Sequence, residues 1–157
     1  MRNNYGVGAT RKEELKGSCA ALSIDPERCI ALDREELQDN PKVWWDQNAI
    51  VAAVKEHVER WKVDAIVTFD QGGISGHLNH RAVSSAIRII GALFSRANNV
   101  DGRYGDKALI ANGWRSYLRT RQAFASHDSQ YSWDRHVYMI LSRQVWYNDL
   151  YRAKQAN

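Results

Sequence analysis

The stretch from Ala65 to Phe94 narrows the folding options more than any other part of the chain. Ala65-Ile66-Val67-Thr68-Phe69 reads as a strand apolar on both faces, the pattern of the centre of a parallel sheet. It runs into the glycine-rich turn Asp70-Gln71-Gly72-Gly73-Ile74-Ser75-Gly76. A helical period follows from Leu78 to Phe94, marked by Ala82, Ala86, Ile89, Ile90 and Leu93. Strand, turn and helix in that order point to an α/β layer fold with a mostly parallel sheet. Such folds bind ligands at the carboxyl ends of their strands, where the Asp70–His80 segment would lie.

The flanking sequence fits the same class. Thr10, with Glu13 three residues on, resembles a capping box that opens a helix over 11–22, buried through Leu15, Cys19 and Leu22. Asp25-Pro26 stops it. Cys29-Ile30-Ala31-Leu32 is expected to be a short buried strand, and Leu37–Pro41 a turn. A second amphipathic helix is expected over 46–61, with Ile50, Val54, Val58 and Trp61 inward. Beyond the polar linker 98–106, Ala108–Ala111 predicts a strand. A last helix is expected over 131–151, with Val137, Leu141 and Val145 along one stripe.

Length and composition suit one domain over 1–157: the chain is 44% hydrophobic and 25% charged, neither disordered nor fibrous in character. Cys19 and Cys29 lack close metal-ligand spacing, so a reduced, intracellular chain is expected. No run approaches the roughly 18 apolar residues of a membrane span, so any membrane attachment is expected to be peripheral or outside this chain. The net charge is +4, and the last third mixes arginines with Trp114, Tyr117, Trp133 and Trp146. That mixture suits anionic head groups or RNA, and equally a solvated basic surface over an aromatic core. A non-catalytic basic α/β module binding phosphoinositide head groups or RNA is therefore one functional reading.

The other begins with His77 and His80. Three apart at the start of a helix, they project from one face and can reach one point in a cleft. Neutral imidazole binds zinc well, and a nearby acid such as Asp70 can orient a ring or handle a proton. The spacing alone is weak, since most such pairs are surface residues. The whole string Val67-Thr68-Phe69-Asp70-x-x-Gly73-x-Ser75-Gly76-His77-x-Asn79-His80 is more specific. It closely resembles the PIG-L branch of the LmbE-like de-N-acetylases. Upstream, Gly6-x-Gly8-x-x-Arg11-x-x-Glu14-Leu15 and Leu37-Gln38-Asp39 with Trp44 or Trp45 resemble that family's segments in the family's order. Downstream, Ala125-x-His127-x-Ser129-Gln130 and Ser142-Arg143-x-x-x-x-Asn148 do the same.

The resemblance implies a zinc-dependent amide hydrolase acting on N-acetylglucosaminyl-phosphatidylinositol in GPI-anchor biosynthesis. It implies work at a membrane surface on the cytoplasmic face of the endoplasmic reticulum, with no nucleic acid partner. His80 matches the zinc-binding histidine. His77 matches the histidine that stabilises the oxyanion or protonates the leaving amine, and Asp70 an acidic position behind the pair. Arg11 and Asp39 match positions that hold the sugar or inositol phosphate, with His127 either a substrate-side contact or a helix-end packing residue. The implied fold is Rossmann-like, in three layers.

The family's proline-histidine-proline-aspartate-aspartate string, which supplies the other metal ligands and the general base, has no match among 1–157. The expectation is therefore a carboxy-terminal part of the domain without its first strand. Such a chain is a piece of a working enzyme, a non-catalytic relative, or an enzyme completed by another chain.

Overall fold

A computed structural model describes residues 6–94, 107–130 and 132–151. They form two compact units, one from Asp33–Tyr104 and one from Tyr5–Leu32 with Gly105–Arg152. The polar linker expected at 98–106 lies outside the described residues.

The first unit is built on two helices. Helix α2, Gln47–Trp61, starts one residue later than its apolar spacing predicts, because Asp46 is the N-cap and its carboxylate accepts the Ala49 N–H at 2.8 Å. Helix α4, Leu78–Phe94, has the expected bounds. The two pack through Ile50, Ala82 and Ala86, with Leu37, Trp45, Val51, Val54 and Val83 around them. Alanines on α4 let the helices approach closely, and Gln47 Nε2 adds a hydrogen bond to Ser85 Oγ. A four-residue turn of helix, α3 (Gly73–Gly76), precedes α4.

The expected buried strand Ala65–Phe69 is not one here. The segment has no regular structure, and Val67 is 73% exposed. The run is apolar, but among the described residues no strand pairs with it, and a strand exists only through its partner.

The second unit holds α1 (Gly8–Ala21), the strands β1 (Lys107–Ala111) and β2 (Tyr147–Tyr151), and the helices α5 (Trp114–Ala125), α6 (Trp133–Leu141) and α7 (Arg143–Trp146). β1 and β2 pair antiparallel, Lys107 opposite Tyr151 and Ala111 opposite Tyr147. Tyr117, Met139 and Val145 form the core, with Phe124 and Trp146 against it, and the Tyr117 and Trp146 rings stack at 4.3 Å. Helix α1 meets α5 through small groups. Ser18 Oγ donates to the Ala123 carbonyl at 2.6 Å, and a Cβ on Gly17 would come 3.0 Å from Ser126 Cβ.

Several expectations fail in this unit, among them the burial of Leu22, which is 47% exposed. Helix α1 opens at Gly8 with Val7 as N-cap and no side-chain cap, so Thr10 lies inside the helix and caps nothing. Cys29–Leu32 is no strand, and Ile30 and Leu32 are exposed. The expected helix over 131–151 breaks at Ser142, whose backbone is extended, and its last five residues become β2. Asn112 holds the break, its N–H donating to the Trp146 carbonyl and its side-chain amide to that of Val145. Cys19 and Cys29 form a disulfide rather than two thiols. Asp25 accepts the Glu27 N–H and turns the chain back, bringing the two Cα atoms to 6.2 Å, within reach of a bridge.

The described residues are thus mixed α/β with one small antiparallel sheet. None of their helices is long and apolar enough to cross a membrane.

Candidate functional site

In the first unit the glycine turn works as a precise corner. Asp70 closes it, its carboxylate and its carbonyl both accepting the Gly73 N–H, at 2.9 and 3.1 Å. Gly73 then takes φ +63°, and a Cβ there would lie 2.8 Å from the Arg81 backbone nitrogen, so only glycine fits. This corner points the Gly73 carbonyl at His80 Nδ1, 2.9 Å away. A carbonyl only accepts, so Nδ1 carries the proton and Nε2 is the ring nitrogen left for a ligand. The acid behind the histidine pair thus builds the turn, and a backbone carbonyl orients the His80 ring.

The rings of Phe69, His80 and His77 form a column. Phe69 and His80 stack at 4.3 Å with 13° between planes, and His80 and His77 at 4.6 Å with 25°. Both imidazoles are half-buried and lie side by side. His77 Nε2 is 3.8 Å from Asp39 Oδ1, a contact that is ionic only while the ring is protonated. His77 Nδ1 is closed off from solvent and makes no hydrogen bond. Leaving such a nitrogen unpaired costs about 1–3 kcal/mol, which a bound polar group would recover.

Asn79, quoted above only as part of the string, is the residue that holds this corner to the chain before α2. It is 1% exposed, its amide donating to the Val43 carbonyl at 2.9 Å and its oxygen accepting the Asn40 N–H at 3.0 Å. Asp39 is the next residue, so Asn79 fixes where Asp39 stands relative to His77. A polar residue inside an otherwise helical apolar pattern is the signal that marks it.

His80 therefore fits as one zinc ligand, with its second nitrogen already oriented, as metal-binding histidines require. A whole centre is not gathered: among the described residues no group of three or more His, Cys, Asp or Glu could hold a metal ion.

Arg11 and His127 belong to the second unit, where the charges of both act on Glu14. Glu14 Oε1 accepts the Ser129 N–H at 2.6 Å, and Oε2 accepts the Ser129 hydroxyl at 2.8 Å. Oε2 lies 3.8 Å from His127 Nδ1. The Ser129 N–H above all holds Glu14 below the usual carboxylate range; burial opposes this, while the Ser129 hydroxyl and the charges of His127 and Arg11 add to it.

Comparison with known proteins matches residues 1–90 to the family model PIG-L: GlcNAc-PI de-N-acetylase. An N-acetylglucosaminyl-phosphatidylinositol de-N-acetylase of Bos taurus is 31% identical, the alignment covering 94% of this chain and 67% of that protein. A probable enzyme of the same name from Schizosaccharomyces pombe is 27% identical over 96% of this chain and 71% of its own length. The Saccharomyces cerevisiae enzyme is 33% identical over 55% of this chain and 29% of its own. No solved structure matches. With more than half of its residues inside the family model, and with the string around His77 and His80 folded into one corner, the chain belongs to the PIG-L family of GlcNAc-PI de-N-acetylases.

Proposed function

We propose that this chain acts in the hydrolysis of the N-acetyl group of N-acetylglucosaminyl-phosphatidylinositol, a step of GPI-anchor biosynthesis, at the cytoplasmic face of the endoplasmic reticulum membrane. The observation that carries this reading is the family match, which contains the whole His77–His80 corner. Water adds to the amide carbonyl, the C–N bond breaks, acetate leaves and the amine takes a proton. His77 serves the step that needs a proton donor: protonated and paired with Asp39, it donates to the developing oxyanion or to the leaving nitrogen. His80 Nε2 would be one ligand of a zinc ion, its ring oriented by the Nδ1–H bond to the Gly73 carbonyl. When bound, zinc supplies activation of water near neutral pH and polarisation of the carbonyl. Asp70 keeps the corner closed. Arg11, Asp39 and His127 are proposed to hold the sugar and inositol phosphate. Residues 65–69, mostly apolar and exposed up to the half-buried Phe69, would enter a parallel sheet of the three-layer family fold on pairing with further strands.

The test is acetate release from N-acetylglucosaminyl-phosphatidylinositol in detergent micelles by the purified chain, with and without added zinc. Zinc-dependent release that His80→Ala abolishes together with metal binding, and that His77→Ala lowers with metal retained, is the expected result. Equal zinc content in wild type and His80→Ala would overturn the ligand role. Salt-sensitive RNA binding without hydrolysis would favour the basic-module reading.

A further inference from the structure

Glu14 has no role in the reaction described above, yet it makes one of the most demanding contacts in its unit. Its side chain is 9% exposed, and both of its oxygens are taken by Ser129, 115 positions away in sequence. The segment it grips is a tight turn: the His127 N–H donates to the Phe124 carbonyl and the Gln130 N–H to that of His127. A tether between α1 and the end of α5 needs none of this charge, because Ser18 already bonds Ala123 and Gly17 already packs on Ser126. What the carboxylate adds is a negative charge 3.8 Å from His127 Nδ1, a nitrogen that is buried and makes no hydrogen bond. Arg11 lies one turn earlier on the same helix face, three residues before Glu14, and its charge acts on the same carboxylate.

We propose that Glu14 is a positioning residue for the two side chains offered to the anionic part of the substrate, Arg11 and His127, and that through them it sets how tightly the inositol phosphate is held. The proposal rests on the substrate reading given above for those two residues. The chemistry is consistent with it. Glu14 keeps its charge, but both of its oxygens are taken by the Ser129 donors, so it orients the neighbouring cations without turning an oxygen to the ligand. Roughly a third of the His127 side chain stays open, 31%, which leaves the ring reachable from solvent.

Steady-state kinetics of the full chain on the glycolipid in micelles test this with Glu14→Ala, Glu14→Gln, His127→Ala and the Glu14→Ala/His127→Ala double variant. Glu14→Ala is expected to raise KM about tenfold with kcat within about twofold, and the double variant to lose less than the product of the two single losses, the remainder being the part that acts through Arg11. Glu14→Gln, which keeps an acceptor for Ser129 and guards against a folding defect, is expected to raise KM by a smaller factor. Fully additive losses, or a fall in kcat with KM unchanged, overturn the proposal. A wild-type chain that turns over no glycolipid removes the substrate reading instead, and calorimetry with inositol 1-phosphate then decides. Binding weakened about tenfold by both Glu14→Ala and His127→Ala sustains the positioning role, while absent binding, or binding unchanged by Glu14→Ala, ends it.

Discussion

Gly73 shows how much one residue can fix. Its positive φ, the Asp70 bonds to its N–H and the His80 bond to its carbonyl meet within one peptide. A methyl group there meets backbone as well as side chain, so the strain has no easy outlet. Gly73→Ala is expected to destabilise the first unit by about 1–3 kcal/mol in urea denaturation. A loss near zero would mean that the turn takes another shape. Glu14 yields a prediction of a different kind. Its folded pKa is depressed relative to the unfolded chain, so its contribution is present above the unfolded carboxylate range and lost as pH falls through the folded value. The unfolding midpoint should drop somewhat more steeply with acid below about pH 5 in wild type than in Ser129→Ala, which keeps the N–H bond that leads the depression and loses the weaker contribution of the hydroxyl. Equal slopes would count against a share for the Ser129 hydroxyl. Residue identities at the corner were legible in the sequence because glycines, an acid and two histidines crowd into a few positions. The Glu14–Ser129 pair was not, since nothing local in either segment announces a partner so far along the chain.

Helices were legible in proportion to the strength of their apolar repeat. In α4 the alanines and isoleucines recur without interruption, and its bounds come out as spaced; α2 has a capping aspartate at its start. Helix α1 misleads, because Thr10 and Glu13 imitate a capping box while the Val7 carbonyl already accepts the Arg11 N–H. The contrast is measurable. Asp46→Ala should cost about 1 kcal/mol in thermal unfolding, with most of it restored by Asn. Thr10→Ala should stay within about 0.5 kcal/mol, and a larger loss there would reinstate the cap at Thr10. The break at Ser142 carries no glycine or proline, so periodicity runs straight through it. It exists because β1 offers Tyr147–Tyr151 a partner and Asn112 takes the carbonyls before them, contacts of long range that no local window contains. The disulfide between Cys19 and Cys29 escaped for a related reason, since it depends on the turn at Asp25 rather than on spacing.

At the scale of the whole molecule, α/β character and the strand at 108–111 were legible, and the pairing of the sheet was not. Hydrophobic content tells which segments need cover, and a strand needs a neighbour besides. The apolar run 65–69 therefore remains open, and on the second unit Trp133 and Leu141 are 79% and 76% exposed. Large apolar side chains this exposed are open to contact with another chain. The isolated chain is accordingly expected to self-associate as its concentration rises, in sedimentation velocity at neutral pH. Its net charge of +4 opposes association only weakly at physiological salt, where screening acts over about 8 Å. Val67→Lys and Leu141→Lys each place a charge on one of these open surfaces and should shift the distribution towards monomer, more so together than singly. A chain that stays monomeric over a hundredfold range, or lysine variants that associate as wild type does, would show that these side chains are tolerated in water and recruit nothing.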